Sequence, residues 1–419
     1  MNNDAVVVTG IGVMMPNTTT AESFWEKISG GSSQISRITR FTEETTGLPV
    51  HAAAEISDFD HHPFLPDLSD GHARKYSREI LITMAAVAQA RRDAALAEGD
   101  LDPGRLSIVL SSSRGPLSWW QSAISGTDHG AFADKGAMFR GLPGTPASLS
   151  AIYTGARGLV TTINNACVGG HQAIGVALRE LAAGSSDAVL VGGHEFPILP
   201  EVAKCYLALG KGVLSAERDD PARAVRPYNS DREGFALGEG AVVLCLERER
   251  EARRRGARIY ARILSHRSIN EADHPTTMDL TGKVTAGAIV DVLADAGRHP
   301  DDVGYFCAHG TATGYNDIAE SRALRALYSE RPLSQLPPIS SNKPIYGHTF
   351  GVAGIINAAA TSLMLHHQQL APTINLTTPD PACDHDHVAE GVRPVAFDLA
   401  VSMSFAFGSQ TSVLALGAA

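Results

Sequence analysis

The chain has 419 residues, 44% hydrophobic and 19% charged, with a formal net charge of −10; this is the profile of a soluble globular protein long enough for two domains. No run approaches eighteen apolar residues, which excludes a membrane-spanning helix, and an acidic balance without a basic, aromatic-interleaved stripe excludes nucleic acid as a partner. Five cysteines, odd in number and scattered, make no disulfide framework, and no basic leader precedes the first apolar run, so the reading is a cytoplasmic protein with free thiols.

In chain order, short apolar runs predict buried strands at Ala5–Val8, Ser107–Leu110, Ala188–Val191, Ala241–Leu246, Ile259–Leu264, Tyr305–Cys307, Val401–Phe405 and Ser412–Leu416. Helical patterns fall between them at Glu79–Ala94, His171–Ala183, Val284–Ala296 and Glu320–Leu327. Strands alternating with helices predict a layered α/β architecture. The charged segment Glu247–Arg255 divides the series into two halves of related layout, a candidate duplication. Stretches 40–72 and 114–150, irregular and rich in Gly, Pro and Ser, read as long functional loops. Gly10-Ile-Gly12 lacks the third glycine of a dinucleotide fingerprint. His61-His62 and Cys383-Asp-His-Asp-His387 lack zinc-type spacing and read as surface loops, so no metal site is expected.

Cys167 stands where the β-branched run Thr161-Thr-Ile163 ends and a long helical pattern begins. At the first turn of a helix, backbone N–H groups and the dipole favour thiolate over thiol. A lone cysteine is more often a small buried hydrophobe. The company of His309, in His309-Gly-Thr-Ala-Thr313, and His348, in Lys343-Pro-Ile-Tyr-Gly-His348, points instead to a covalent-catalysis site.

Seven ordered blocks carry a resemblance over nearly the whole chain: Val6-Val-Val-Thr-Gly-Ile-Gly12, the segment around Cys167, Arg226 to Gly240, His309 to Glu320, Lys343 to His348, Asn375-Leu with Pro379-Asp-Pro381, and Ser404-Phe-Ala-Phe-Gly408. In these the chain resembles the elongating β-ketoacyl-acyl-carrier-protein synthases of the thiolase superfamily. The resemblance implies the thiolase fold, an α/β arrangement of duplicated βαβαβαββ halves in five α-β-α-β-α layers. The halves would be 1–253, with the nucleophile, and 254–419, with both histidines. Cys167 would hold an acyl chain as a thioester, and His309 and His348 would stabilise negative charge during decarboxylative condensation with malonyl carrier.

The same resemblance implies that Lys343 pairs with Glu320 and Asp317 to order the histidine loops. The backbone N–H groups of Cys167 and Phe407 would form the oxyanion hole, with Phe405 in the gating loop. Thr311, Thr313 and Thr276 would bind the phosphopantetheine arm of the acyl carrier protein, no cofactor being tightly held. Arg74, Lys75 and Arg78 would dock that acidic carrier. The family is dimeric, so the partner is a second copy or a ketosynthase-like chain-length factor.

Four departures from the family pattern stand out. Val168-Gly169-Gly170 follows the nucleophile. Ala406 and Ser409 replace glycines of the gating loop, and Tyr346 replaces a small residue. Arg114 stands where an apolar residue ends the acyl pocket, which Val168 and Phe235 would also line. An arginine there predicts poor acceptance of long saturated chains and favours a polyketide over a housekeeping fatty-acid role. Cys167 argues against a catalytically silent partner subunit, and the second histidine against a degradative thiolase.

Overall fold

The computed structural model describes residues 4–126, 135–272 and 274–419. Ten strands pair edge to edge: β1 (Val6–Met14), β2 (Leu106–Ser111), β3 (Val160–Ile163), β4 (Ala188–Glu195), β5 (Gly240–Arg248), β6 (Ala261–Asn270), β7 (Tyr305–Cys307), β8 (Ile339–Ser340), β9 (Leu399–Ala406) and β10 (Gln410–Gly417). Their spatial order is β8-β7-β9-β10-β6-β1-β5-β4-β2-β3. Read outward from the centre, β1-β5-β4-β2-β3 on one side repeats as β6-β10-β9-β7-β8 on the other. The pairing senses repeat as well. β2 runs parallel to β3 and β4, as β7 does to β8 and β9, and the remaining pairs in each half are antiparallel. A short antiparallel contact of Val6–Val8 with Ala261–Ile263 joins the halves. The suspected duplication is therefore present in topology, although the two sequences have diverged.

Six helices complete the two βαβαβαββ units: α1 (Arg78–Asp93), α2 (Thr145–Thr154) and α3 (Gly169–Ala182), then α4 (Lys283–Asp295), α5 (Gly314–Leu327) and α6 (Ala353–His367). Helices α1 and α2 cover one outer face, α4 and α5 the other, and α3 and α6 pack on each other between the halves. Three hydrophobic cores follow from these layers, one beneath each outer pair and one around α3 and α6. Strands β1, β4 and β5 are buried on both faces, which is why they read as continuous apolar runs without alternation.

The middle helices cross at backbone distance. A Cβ on Gly170 would lie 2.9 Å from the Ile355 nitrogen, and one on Gly354 would lie 2.8 Å from the His171 nitrogen. Each helix lends the other a glycine.

Some expectations need correction. Stretch 114–150 is partly helical, with turns at Leu117–Ser125 and Ala137–Arg140 and then α2, while 127–134 lie outside the described residues. Stretch 40–72 contains the strand Ala52–Ala54, which pairs with Leu237–Gly238. The segment Cys383 to His387 is no surface loop: Cys383, His385 and His387 are buried. His387 stacks on Tyr228 at 4.0 Å and its Nε2 bonds the Cys383 carbonyl oxygen at 2.7 Å, so aromatic packing consumes the residues that suggested ligands. His62 does lie on the surface, against Asp60 and Asp70.

Candidate active site

The site collects at the carboxyl ends of strands, where open ends of parallel strands leave a crevice. Cys167 occupies a single turn, Ala166–Val168, between β3 and α3. It precedes the helix and does not lie in its first turn. Ala166 takes φ +42°, a left-handed conformation unfavourable for a residue with a Cβ, and this sharp bend presents the sulfur.

His309 follows β7, and His348 follows the short turn Lys343–Tyr346 beyond β8. The Cys167 Sγ and the ring nitrogens of the two histidines lie within 4.8 Å of one another, with Sγ 3.3 Å from His348 Nε2.

A backbone donor faces one ring and a side-chain donor the other. The Phe350 N–H donates to His348 Nδ1 at 3.2 Å, and the Lys343 ammonium stands 3.4 Å from His309 Nδ1. A donor on each Nδ1 leaves the proton on Nε2. Both imidazoles thus offer N–H groups, suited to an oxygen that gains negative charge. Burial, with Lys343 adding to it, holds both histidines well below the ordinary imidazole range, so they stay neutral near pH 7.

Burial also pushes the Cys167 thiol up to about 12, against the pull of Arg114 and Lys343. Burial is the largest influence on the sulfur and opposes the thiolate that the helix-start reading favours.

Lys343 and Glu320 meet on His309 and not on each other. The ammonium donates to the His309 carbonyl oxygen, while Glu320 accepts from the N–H groups of His309 at 2.6 Å and Gly310 at 2.7 Å. Burial raises the Glu320 carboxyl and lowers the Lys343 ammonium, the latter opposed by Glu320. Asp317 pairs with Arg232 at 3.6 Å and takes the Thr311 and Tyr228 N–H groups. The expected direct Lys343–Glu320 and Lys343–Asp317 ion pairs are absent among the described residues, because both carboxylates are already filled by backbone donors.

The pocket over Cys167, about 200 Å³, is lined by both histidines, Phe235, Thr276, Thr311, Thr313, Phe405 and Phe407, and by residues not foreseen, chiefly Tyr206 and Phe350. Val168 lines no wall of it; its side chain is fully buried. Tyr346 points elsewhere, stacked on Phe24 and bonded to Thr18 at 2.9 Å. A second cleft, lined by Arg114, Leu117, Glu201, Val202 and Cys205, shares Tyr206, Leu209 and Phe407 with the first. Tyr206, on the helix Pro200–Leu207, therefore divides the two, and its hydroxyl is bonded by Arg114. Arg114 faces inward, its guanidinium 3.5 Å from Glu195.

The gating turn Phe407–Ser409 joins β9 to β10. Phe405 is buried and Phe407 exposed. Ser409 adopts φ +54° and latches the turn: its Oγ donates to the His274 carbonyl oxygen at 2.6 Å and accepts from the His274 N–H at 2.9 Å. Of the basic cluster, Arg74 and Lys75 are exposed. Arg78 is half-buried, engaged by Glu239 at 3.1 Å and by the Ile56 carbonyl oxygen.

Two family descriptions match this chain, the β-ketoacyl synthase N-terminal domain over residues 3–252 and the β-ketoacyl synthase C-terminal domain over residues 260–377. The chain belongs to the β-ketoacyl synthase family. Similar relatives include the 3-oxoacyl-acyl-carrier-protein synthase 2 of Synechocystis, 33% identical over 98% of this chain and 97% of that one. The tetracenomycin polyketide synthase ketoacyl synthase alpha subunit of Streptomyces glaucescens is 31% identical over 98% and 96%. Among solved structures, a type II polyketide ketosynthase in complex with its acyl-carrier protein superposes with a TM-score of 0.89 at 30% identity, covering 99% of this chain and 100% of that one. The ishigamide ketosynthase/chain length factor follows at 0.88 and 29%, covering 99% of each chain. Among the described residues of this β-ketoacyl synthase, no helix is long and apolar enough to cross a membrane.

Proposed function

We propose that this β-ketoacyl synthase runs a decarboxylative condensation with Cys167 as nucleophile and His309 and His348 as oxyanion donors. The observation that carries the reading is the convergence of one thiol and a ring nitrogen from each of two histidines within 4.8 Å in one pocket. The Cys167 sulfur attacks an acyl thioester; the carbonyl oxygen becomes an oxyanion held by the N–H groups of Cys167 and Phe407, and the carrier thiol leaves with a proton. Malonyl carrier then enters and loses carbon dioxide. The electron pair stays as an enolate, whose oxygen takes hydrogen bonds from His309 and His348. Its carbon attacks the Cys167 thioester, and collapse of the tetrahedral adduct releases the β-ketoacyl carrier and expels the sulfur as a thiolate, which takes a proton from water to restore the thiol.

Residues 1–253 thus supply the nucleophile and 254–419 both histidines, with Lys343 and Glu320 ordering His309, and Asp317 ordering Thr311. Thr311, Thr313 and Thr276 line the route for the carrier's phosphopantetheine arm, and exposed Arg74 and Lys75 suit an acidic carrier. The half-buried edge strand β3, beside exposed Ile152 and Leu159, suits pairing with a second ketosynthase-like chain. The small pocket, closed by Tyr206 and Arg114, favours short or oxygenated acyl groups and hence a polyketide role in the cytoplasm.

The test is mass-spectrometric acyl loading of Cys167 from carrier protein against coenzyme A, with release of carbon dioxide from malonyl carrier. Loading on Cys167 followed by release supports the reading. Equal turnover with coenzyme A esters and no release of carbon dioxide would overturn it, and efficient loading of lauroyl carrier would overturn the acyl preference.

A further inference from the structure

Arg114 is a cation in a cluster of aromatic rings. Its guanidinium lies 4.5 Å from the centroid of Phe350 and 5.4 Å from that of Tyr206. Phe350 in turn stacks on His348 at 4.3 Å, and His348 reaches the Cys167 sulfur. The counter-charge is Glu195, the last residue of β4 and 1% exposed. Its Oε2 accepts the N–H groups of Ser113 at 2.6 Å and Gly351 at 3.1 Å, which leaves Oε1 facing Arg114 at 3.5 Å. That distance is longer than a hydrogen bond. The buried Arg114 Nη1 has no hydrogen-bond partner, so the pair is close without being locked.

We propose that Arg114 is a positioning residue of the condensation, whose cation, set against the Glu195 carboxylate, governs how readily Cys167 gives up its proton. This rests on Cys167 being the nucleophile. The charges acting on the sulfur are Arg114 from beyond β2, Lys343 from the turn after β8 and Glu195 from β4. His309, His348 and the Tyr206 hydroxyl, the other titratable groups around it, are neutral near pH 7. Lys343 is committed to His309, which leaves the Arg114–Glu195 pair as the adjustable source of field. The two members act with opposite sign: the cation favours the thiolate and the carboxylate opposes it. A packing role for either residue has no such sign.

The experiment is the rate of Cys167 alkylation by iodoacetamide in the full-length protein at fixed pH between 7 and 9, below the titration of the thiol, read on the Cys167 peptide by mass spectrometry to separate it from exposed Cys205. Arg114→Gln is expected to lower the thiolate fraction about tenfold at any such pH. The rate at pH 7.5 then falls about threefold, because a more basic thiolate is also more nucleophilic. Glu195→Gln retains an oxygen for the Ser113 and Gly351 N–H groups and is expected to shift that rate the opposite way, upward. Arg114→Lys stays near the parent, and the double Gln variant lies between the singles. Where Arg114→Gln does not fold, Glu195→Gln and Arg114→Lys carry the test. Shifts of the same sign in both singles, or no shift in Glu195→Gln, would overturn the proposal. Alkylation needs no condensation, so an inactive protein with the opposed shifts would sink the proposed reaction and leave the charge pair standing.

Discussion

The turn that leads into α3 and the turn that leads into α6 are the same device used twice. Ala166-Cys167-Val168 before α3 corresponds to Phe350-Gly351-Val352 before α6. Ala166 and Phe350 share the left-handed conformation, at φ +42° and +44°, and Gly170 and Gly354 meet the opposite helix in the same way. Where one elbow carries the sulfur, the other carries a glycine. A Cβ on Gly351 would stand 2.6 Å from the Ser113 nitrogen and 2.8 Å from Glu195. Duplication supplied two sites for a nucleophile, and the second has been given over to bracing: the Gly351 N–H holds Glu195, and Phe350 supports His348. One fold thus yields one reactive residue and one scaffold for the groups around it.

Chemistry breaks this comparison most strongly. Cys167→Ala removes the only nucleophile at either elbow and should lower acyl transfer by at least about 10³-fold while leaving the thermal transition within a few degrees; a residual acyl adduct on another residue would show that the elbow is not unique. His309→Ala or His348→Ala removes one oxyanion donor, with an expected loss of about 10²–10³ in carbon dioxide release from malonyl carrier. A far larger loss in acyl loading than in decarboxylation would reassign the donor. Gly351→Ala tests the brace: overpacking against Ser113 and Glu195 should cost about 1–3 kcal/mol in urea unfolding, whereas an unchanged midpoint would show that the second elbow tolerates a side chain.

The smallest effect sharpens the pair at the next turn, where His171 on α3 matches Ile355 on α6. Burial lowers the His171 ring to about 3, with Nε2 bonded to Ser402 Oγ at 3.1 Å. The unfolded chain takes this proton first, so the stability is complete above about pH 6.5 and declines as pH falls towards 3, by at most about 1.4 kcal/mol per pH unit. His171→Leu should flatten that decline in denaturation curves measured between pH 7 and 5. An identical slope would place the acid sensitivity in the other buried rings: His194, His266 and His387, which burial lowers to about 4, and the site pair His309 and His348.

Most of this architecture is legible in the sequence where water contributes a pattern. Helices α1, α4 and α5 face solvent on one side, so their periodicity announces them. Residues 353–365 of α6 are buried all round and present no polar face to mark a period; that helix was not foreseen. Strand β8 has two residues, too few to register. In the site, Cys167, His309 and His348 are recognisable by residue type and turn context, and the three do converge. Glu195, Tyr206 and Phe350 are not, because each acts through neighbours far away in the chain. The ion pairs expected of Lys343 failed for a related reason, since sequence records charges and not the backbone donors that already occupy them.

The crossing of α3 and α6 through Gly170 and Gly354 has a consequence for how such a protein can change. Each glycine is a vacancy kept for the sake of the other half, so neither half can drift alone at this point. A larger residue at one crossing asks for backbone movement in the opposite unit, whose elbow holds the reacting groups. The two halves are therefore tied mechanically where α3 and α6 cross, and a change in the packing of one is felt at the elbow of the other.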